Sequence, residues 1–247
     1  MPEAWVDGGF FYRKFIFRFG DCDSRKQSAI HALMKLFSEL AGEDYERRGM
    51  GYELLRSRGQ AMLISRLKLK FHRCPVHMEQ TVARTWERGV KGPYFMRDFE
   101  QRTESGELLV SGTSQWFLVD IISREVLRPA ALLAENRMLD PLRADCPACE
   151  KLQKCDNLPT LGCRPVYYSD LDANGHVNNA VYGRIAMDFL PDDLRQKQLE
   201  TFSIHFAMET KLGEVLELDG ERIGSTFQLR GKAGNTLHFG CSFVFKD

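Results

Sequence analysis

Residues 168–189 read YSDLDANGHVNNAVYGRIAMDF. Their opening, Tyr168-Ser169-Asp170-Leu171-Asp172, echoes Phe19-Gly20-Asp21-Cys22-Asp23 far upstream. Each quintet leads into an apolar stripe at helical spacing. After the first, Ile30, Leu33, Phe37, Leu40, Ala41 and Tyr45 fall three and four apart, with Ser24 as candidate N-cap and Gly49 as stop. That predicts a helix of roughly 22 residues, long by ordinary standards. After the second, Tyr182, Ile185, Ala186 and Phe189 share one side of a helix expected to begin near Val177, and Pro191 lies just past its end.

Strand patterns follow each helix. In 62–72, Leu63, Leu67, Leu69 and Phe71 share one parity, and Arg66, Lys68, Lys70 and His72 the other. Such alternation predicts a half-buried strand with a cationic outer face. Strands are also predicted over 10–19, 79–87, 94–101 and 107–120, and again over 199–208, 214–222, 225–231 and 235–245. Phe99, Gly106 and Ser114 match Phe227, Gly234 and Ser242 at a constant offset. The order is that of an internal duplication: two α+β units, each a long helix on an antiparallel sheet, fused as a pseudo-dimer with sheets side by side. The expected division is 1–140, a Cys- and Pro-rich linker over 141–165, and 166–247.

The bulk numbers limit the function. Lys plus Arg and Asp plus Glu each number 34, so the formal net charge is zero and nucleic acid is not the default partner. The first residues, MPEAWVDGGFFYRKF, have neither a basic start with an apolar core nor the acid-poor composition of an import sequence. No run of about 18 apolar residues is present to span a membrane. A cytoplasmic protein is expected. A homodimer is also allowed, because a sheet edge can pair further.

Chemistry concentrates in 172–179. Asp172, Asn174, His176 and Asn179 crowd the mouth of the second helix, and Gly175 permits a sharp turn. Histidine exchanges protons near neutral pH. Amides at a helix start lack intrahelical partners, so those of His176, Val177 and Asn178 are candidates for holding an oxyanion. By spacing alone, an Asp/Asn helix cap with an incidental surface histidine explains these residues equally well.

The run DLDANGHVNNAVY, residues 170–182, resembles the acyl-ACP thioesterase family, the fatty acyl-ACP hydrolases of plant plastids and many bacteria. Thr85-Trp86, Arg97-Asp98-Phe99, and Ser114 and Trp116 with Asp120 and Arg124 resemble first-repeat signatures of that family, and the likeness covers roughly 10–245. The resemblance implies a tandem (double) hotdog fold and hydrolysis of fatty acyl-acyl carrier protein, with no cofactor required. Its catalytic residues fall on Asp172, Asn174, His176 and Glu209. Glu209, supported by Asn174 and His176, would deprotonate a water, and Asp172 would orient its neighbours or act as nucleophile. The next position, often Cys in the family, is Thr210 here, so a Cys–His pair is unavailable. The first repeat has Asp21 and Asp23 but Ser24, Arg25 and Lys26 where the Asn-x-His would continue. One active site per chain is therefore expected. The first repeat would hold the acyl chain, with Met34, Met50 and Met62 as candidate lining. A hotdog acyl-CoA thioesterase and a non-catalytic acyl-binding protein are the alternatives.

Two further features stand apart. Arg66, Lys68, Lys70 and Arg73 form an acid-free cationic stretch that would suit acidic acyl carrier protein as a docking surface, or be an ordinary exposed sheet face. Cys146, Cys149, Cys155 and Cys163 could supply four thiolates to a structural zinc, although their later spacings fit no standard ribbon.

Overall fold

The computed structural model describes residues 3–129, 140–151 and 158–246. The chain divides into two compact units, residues 1–29 with 35–149, and residues 30–34 with 150–247. The first contains strands β1 (Ala4–Asp7), β2 (Phe10–Ile16), β3 (Gln60–Phe71), β4 (Gln80–Lys91), β5 (Tyr94–Thr103) and β6 (Leu108–Asp120). Its helices are α1 (Ile30–Arg47), apart from residues 30–34, which group with the second unit, and α2 (Tyr52–Ser57). The strands are antiparallel in the order β1-β2-β4-β5-β6-β3. Leu67, Leu69 and Phe71 are buried, as their shared parity predicts, whereas Leu63 is exposed because the register shifts between Ile64 and Arg66 and reverses the parity before it. Phe37 of α1 stacks on Phe99 of β5 with ring centroids 4.8 Å apart, so the apolar stripe of the helix faces the sheet.

A polar network also fixes α1. Arg97 of β5, only 1% exposed, donates to Asp44 (2.8 Å) and Thr85 (3.2 Å) and lies over the Tyr45 ring. Tyr45 donates to Glu87 (2.9 Å), and Arg48 reaches both Asp44 and Glu87. The Thr85-Trp86 and Arg97-Asp98-Phe99 signatures thus include the residues that lock helix to sheet. Met50 and Met62 meet in one apolar cluster with Tyr45, Leu55, Phe95 and Leu118.

The second unit contains β7 (Thr160–Pro165), α3 (Asn179–Asp188), α4 (Asp192–Arg195), β8 (Leu199–Phe206), β9 (Val215–Ile223), β10 (Thr226–Ala233) and β11 (Thr236–Phe245). Its sheet order, β7-β9-β10-β11-β8, repeats β2-β4-β5-β6-β3 of the first unit. A helix packed on an antiparallel sheet, twice in one chain, is the expected α+β tandem hotdog. Gly183 of α3 lies so close to the 30–34 segment that a Cβ there would sit 2.5 Å from the Met34 sulfur. Among the described residues no helix is long and apolar enough to cross a membrane.

Four expectations need correction. Helix α1 starts at Ile30 rather than near Ser24, and its N-cap Ala29 offers no side-chain bond. The Asp23 carboxylate instead accepts from the Arg25 and Gln27 amides (2.9 and 3.1 Å), shaping a turn that delays the helix. Helix α3 likewise starts at Asn179, with Asn178 as N-cap accepting from the Ala180 amide (2.9 Å). The 141–165 stretch is not all linker, since Thr160–Pro165 form β7 against β9. The constant offset between the C-terminal hairpins is not a register, because Phe99 pairs with Gly112 whereas Phe227 pairs with Phe243.

Candidate active site

The 170–178 loop is built by short-range bonds. The Asp172 amide donates to the His176 carbonyl (2.8 Å), and the Gly175 amide to the Asp172 carbonyl (3.0 Å). The Asp172 carboxylate accepts from the Asn174 amide (2.8 Å). Gly175 takes φ 76°, a left-handed conformation that glycine adopts without strain. Asp170, buried beneath, accepts from the Tyr167 amide and pairs with Arg164 and Arg184. The hydrogen bond from Arg164 holds its carboxyl below the usual carboxylate range.

The first unit contains a loop with the same principal backbone bonds. Asp23 N–H reaches the Gln27 carbonyl (2.7 Å), Lys26 N–H the Asp23 carbonyl (3.0 Å), and Ala29 N–H the Asp21 carbonyl (2.9 Å), matching Asn178 N–H on Asp170 (2.9 Å). Lys26, at φ 60°, occupies the place of Gly175. Ser28 N–H on the Pro75 carbonyl matches Val177 N–H on that of Thr210, both at 2.8 Å. Position by position, Arg25 stands where Asn174 does, Gln27 where His176 does, Cys74 where Glu209 does, and Pro75 where Thr210 does. The backbone is therefore fold, and the side chains Asn174, His176 and Glu209 distinguish the second copy.

Two of those side chains, His176 and Glu209, form a close pair. His176 Nε2 lies 3.4 Å from Glu209 Oε2, and both are about a quarter exposed, so solvent and a ligand can reach them. Asp172 is half-buried beside them and Asn174 is exposed. Directly behind, Thr210 Oγ1 lies 2.7 Å from His238 Nδ1 and accepts from the Tyr182 hydroxyl (2.8 Å). Tyr182 closes the 170–182 run without being singled out there, and His238 belongs to no motif. Their only sequence signal is a tyrosine on the apolar side of a helix and a histidine inside a strand.

The expected oxyanion donors are corrected in part. The Val177 amide is taken by the Thr210 carbonyl and the Asn178 amide by that of Asp170. A backbone N–H has one hydrogen to give, so these two do not serve an oxyanion. Of the three, the His176 amide is left as a candidate donor.

The cationic stripe is also not a free surface. Residues 140–149 cross the outer face of the first sheet. Asp140 N–H bonds the Glu87 carbonyl (2.9 Å), Trp86 donates to the Leu142 carbonyl (2.8 Å), and Ala144 N–H donates to Asp98 (2.9 Å). Beneath this strap Arg66 is buried on Gln115 (2.6 Å), and Lys70 pairs with Asp145 of the strap (2.8 Å). Lys68 is half-buried, and Arg73 is held by Glu79 and Glu107. A docking role for Arg66, Lys70 and Arg73 would break these pairs.

The strap carries Cys146 and Cys149, whose thiols donate to the carbonyls of the cross-strand partners Lys68 and Thr113 (3.5 and 3.3 Å). Burial pushes both thiols up to about 12. Cys163 is exposed on β7, and Cys155 lies outside the described residues. Among the described residues, no three His, Cys, Asp or Glu side chains gather as a metal site.

Comparison with known proteins adds the following. Residues 8–133 match the family described as the acyl-ACP thioesterase N-terminal domain, and residues 161–239 the acyl-ACP thioesterase C-terminal domain. A chloroplastic acyl-[acyl-carrier-protein] hydrolase of Cuphea viscosissima is 24% identical over 248 residues, which cover 90% of this chain and 59% of that relative. The chain thus spans about three-fifths of that relative's length. An acyl-ACP thioesterase from Bacteroides thetaiotaomicron superposes with a TM-score of 0.88 at 20% identity, covering 96% of this chain and 98% of the other. The 12:0-ACP thioesterase from Umbellularia californica superposes with a TM-score of 0.86 at 20% identity, covering 98% and 99%. These two likenesses establish the tandem hotdog fold.

Proposed function

The chain belongs to the acyl-ACP thioesterase family, and on that premise we propose that it hydrolyses fatty acyl-acyl carrier protein to free fatty acid and the carrier's thiol. The observation that carries this reading is the His176–Glu209 pair, 3.4 Å apart, on a loop whose first-unit copy holds Gln27 and Cys74 instead. The same backbone without the pair has no acid–base chemistry of this kind.

In the proposed reaction Glu209, steadied by His176 and Asn174, takes a proton from a water whose oxygen attacks the thioester carbonyl carbon. The His176 amide donates to the oxygen that becomes negative. Collapse of the tetrahedral species breaks the C–S bond, the acid departs as product, and the thiolate takes up the proton that Glu209 had removed from the water, which restores the carboxylate. A thiolate is a good leaving group, so one positioned base suffices. Asp172 holds the turn through its bond to the Asn174 amide (2.8 Å) and orients this group. Acyl-chain binding is assigned to the first unit, where the unbranched, adaptable Met50 and Met62 share one apolar cluster. The described cysteines are free thiols, in keeping with a reducing compartment such as the cytoplasm.

The test is thiol release from a fatty acyl-acyl carrier protein, with the matching acyl-CoA alongside. The proposal expects turnover of the carrier thioester at the higher kcat/KM. No release from either thioester contradicts hydrolysis, and preference for the CoA ester contradicts the carrier assignment.

A further inference from the structure

Glu209 sits in a segment held from both sides by one residue. The Ala207 and Met208 amides donate to the His238 carbonyl (2.8 and 3.1 Å). Two residues later, Thr210 reaches the His238 ring (2.7 Å). The Thr210 carbonyl in turn accepts from Val177, next to His176. The Glu209 side chain meets His176 from this held segment (3.4 Å).

Tyr182 Oη donates to Thr210 Oγ1 (2.8 Å), and Thr210 Oγ1 shares a second hydrogen bond with His238 Nδ1 (2.7 Å). A threonine hydroxyl gives one hydrogen and accepts others, so it alone can link these neighbours. Thr210 is fully buried, and Tyr182 and His238 are each 3% exposed. Buried polar groups of this kind are costly unless paired, so the three stand or fall together.

The first unit shows that the fold does not need this device. Pro75 stands at the place of Thr210. Leu33, four residues after the cap Ala29, stands where Tyr182 follows the cap Asn178. Neither has a hydroxyl, and the loop forms the same backbone bonds regardless. The relay occurs in the copy that has the carboxylate.

We infer that Tyr182, Thr210 and His238 are positioning residues, a buried clamp that steadies the 207–210 segment beyond its backbone bonds and thereby aims Glu209 at His176. The inference rests on the hydrolytic reading above. It also explains the threonine at this position as a two-way hydrogen-bonding joint rather than a failed nucleophile.

The test compares Thr210→Val, Thr210→Ser and Tyr182→Phe in the full chain, with fatty acyl-acyl carrier protein as substrate. Amide hydrogen exchange is followed at Val177 and Met208. Misplacement of a catalytic group predicts that Thr210→Val lowers kcat by about tenfold or more while KM stays within about twofold. Exchange at both amides should accelerate. Thr210→Ser should restore both readouts. A folded Thr210→Val enzyme with wild-type kcat overturns the inference, as does a serine variant no better than valine. If Thr210→Val does not fold, Tyr182→Phe decides: a severalfold fall in kcat at unchanged KM supports the clamp, and wild-type kcat refutes it. If the wild-type chain releases no thiol, the functional reading falls. The clamp is then judged by exchange alone, and unaltered exchange in the valine variant overturns it.

Discussion

Asp172 and Asp23 use their Oδ1 atoms alike, each accepting from the amide two residues on (2.8 and 2.9 Å). Such an Asx bond shapes a turn wherever it occurs. The first aspartates differ more. Asp170 is buried against Arg164, whose hydrogen bond depresses its carboxyl, with Arg184 3.0 Å away as a second partner. A carboxylate with a folded-state pKa below its unfolded value stabilises the protein above the unfolded value, near 4, and loses that contribution as pH falls through the folded value. Asp170→Asn should therefore destabilise the chain by about 2 kcal/mol at neutral pH. In urea titrations the gap to wild type should close progressively below about pH 4. A gap independent of pH would show that the pair is not what the aspartate contributes. At this scale the sequence was informative where function is local. Asp172, Asn174 and His176 stand within five residues and carry a family motif. The amides of Val177 and Asn178 were misjudged because their acceptors, Thr210 and Asp170, are chosen by the folded loop and not by the helix start.

Among the elements, α1 is anchored by charge as much as by its apolar stripe. Arg97 is 1% exposed and bonds Asp44, while Glu87 binds Tyr45 and Arg48. Removing one member strands the buried opposite charge, so Arg97→Met should cost roughly 3–5 kcal/mol in unfolding free energy. Denaturant titration measures it, and a loss under about 1 kcal/mol would mean the network is dispensable. Most strands were legible because each half-buried strand alternates: β3 buries Leu67, Leu69 and Phe71, and its helix-facing parity was plain. Strand β7 was not, because TLGCRP is short, mostly exposed and ends in proline. The start of α1 was misplaced because Ser24 has the right chemistry for a cap, but Asp23 captures the nearby amides first. The outer face of β3 read as a cationic docking surface because its cover, the 140–149 strap, comes from a distant part of the sequence. Lys70 meets Asp145, 75 residues away.

For the molecule as a whole, duplication provides an internal control. Two copies of one loop share their backbone bonds, and one of them has the His–Glu pair with the Thr–His–Tyr clamp behind it. The repeat was visible in the quintets 19–23 and 168–172, and the sheet orders of the two units bear it out. Its chemical asymmetry was legible at His176 and only through family resemblance at Glu209, which comes from a loop after β8. The asymmetry predicts one site per chain. The double substitution Gln27→Ala with Cys74→Ser should leave kcat for acyl-acyl carrier protein within about twofold of wild type, since neither residue belongs to an acid–base pair. A larger loss in a stably folded variant would show that the first loop takes part. The central claim, that Glu209 is the base paired with His176, is tested most directly by Glu209→Ala in the thiol-release assay. A folded variant with turnover reduced by about two orders of magnitude or more is the predicted result. A folded variant with wild-type turnover would contradict it.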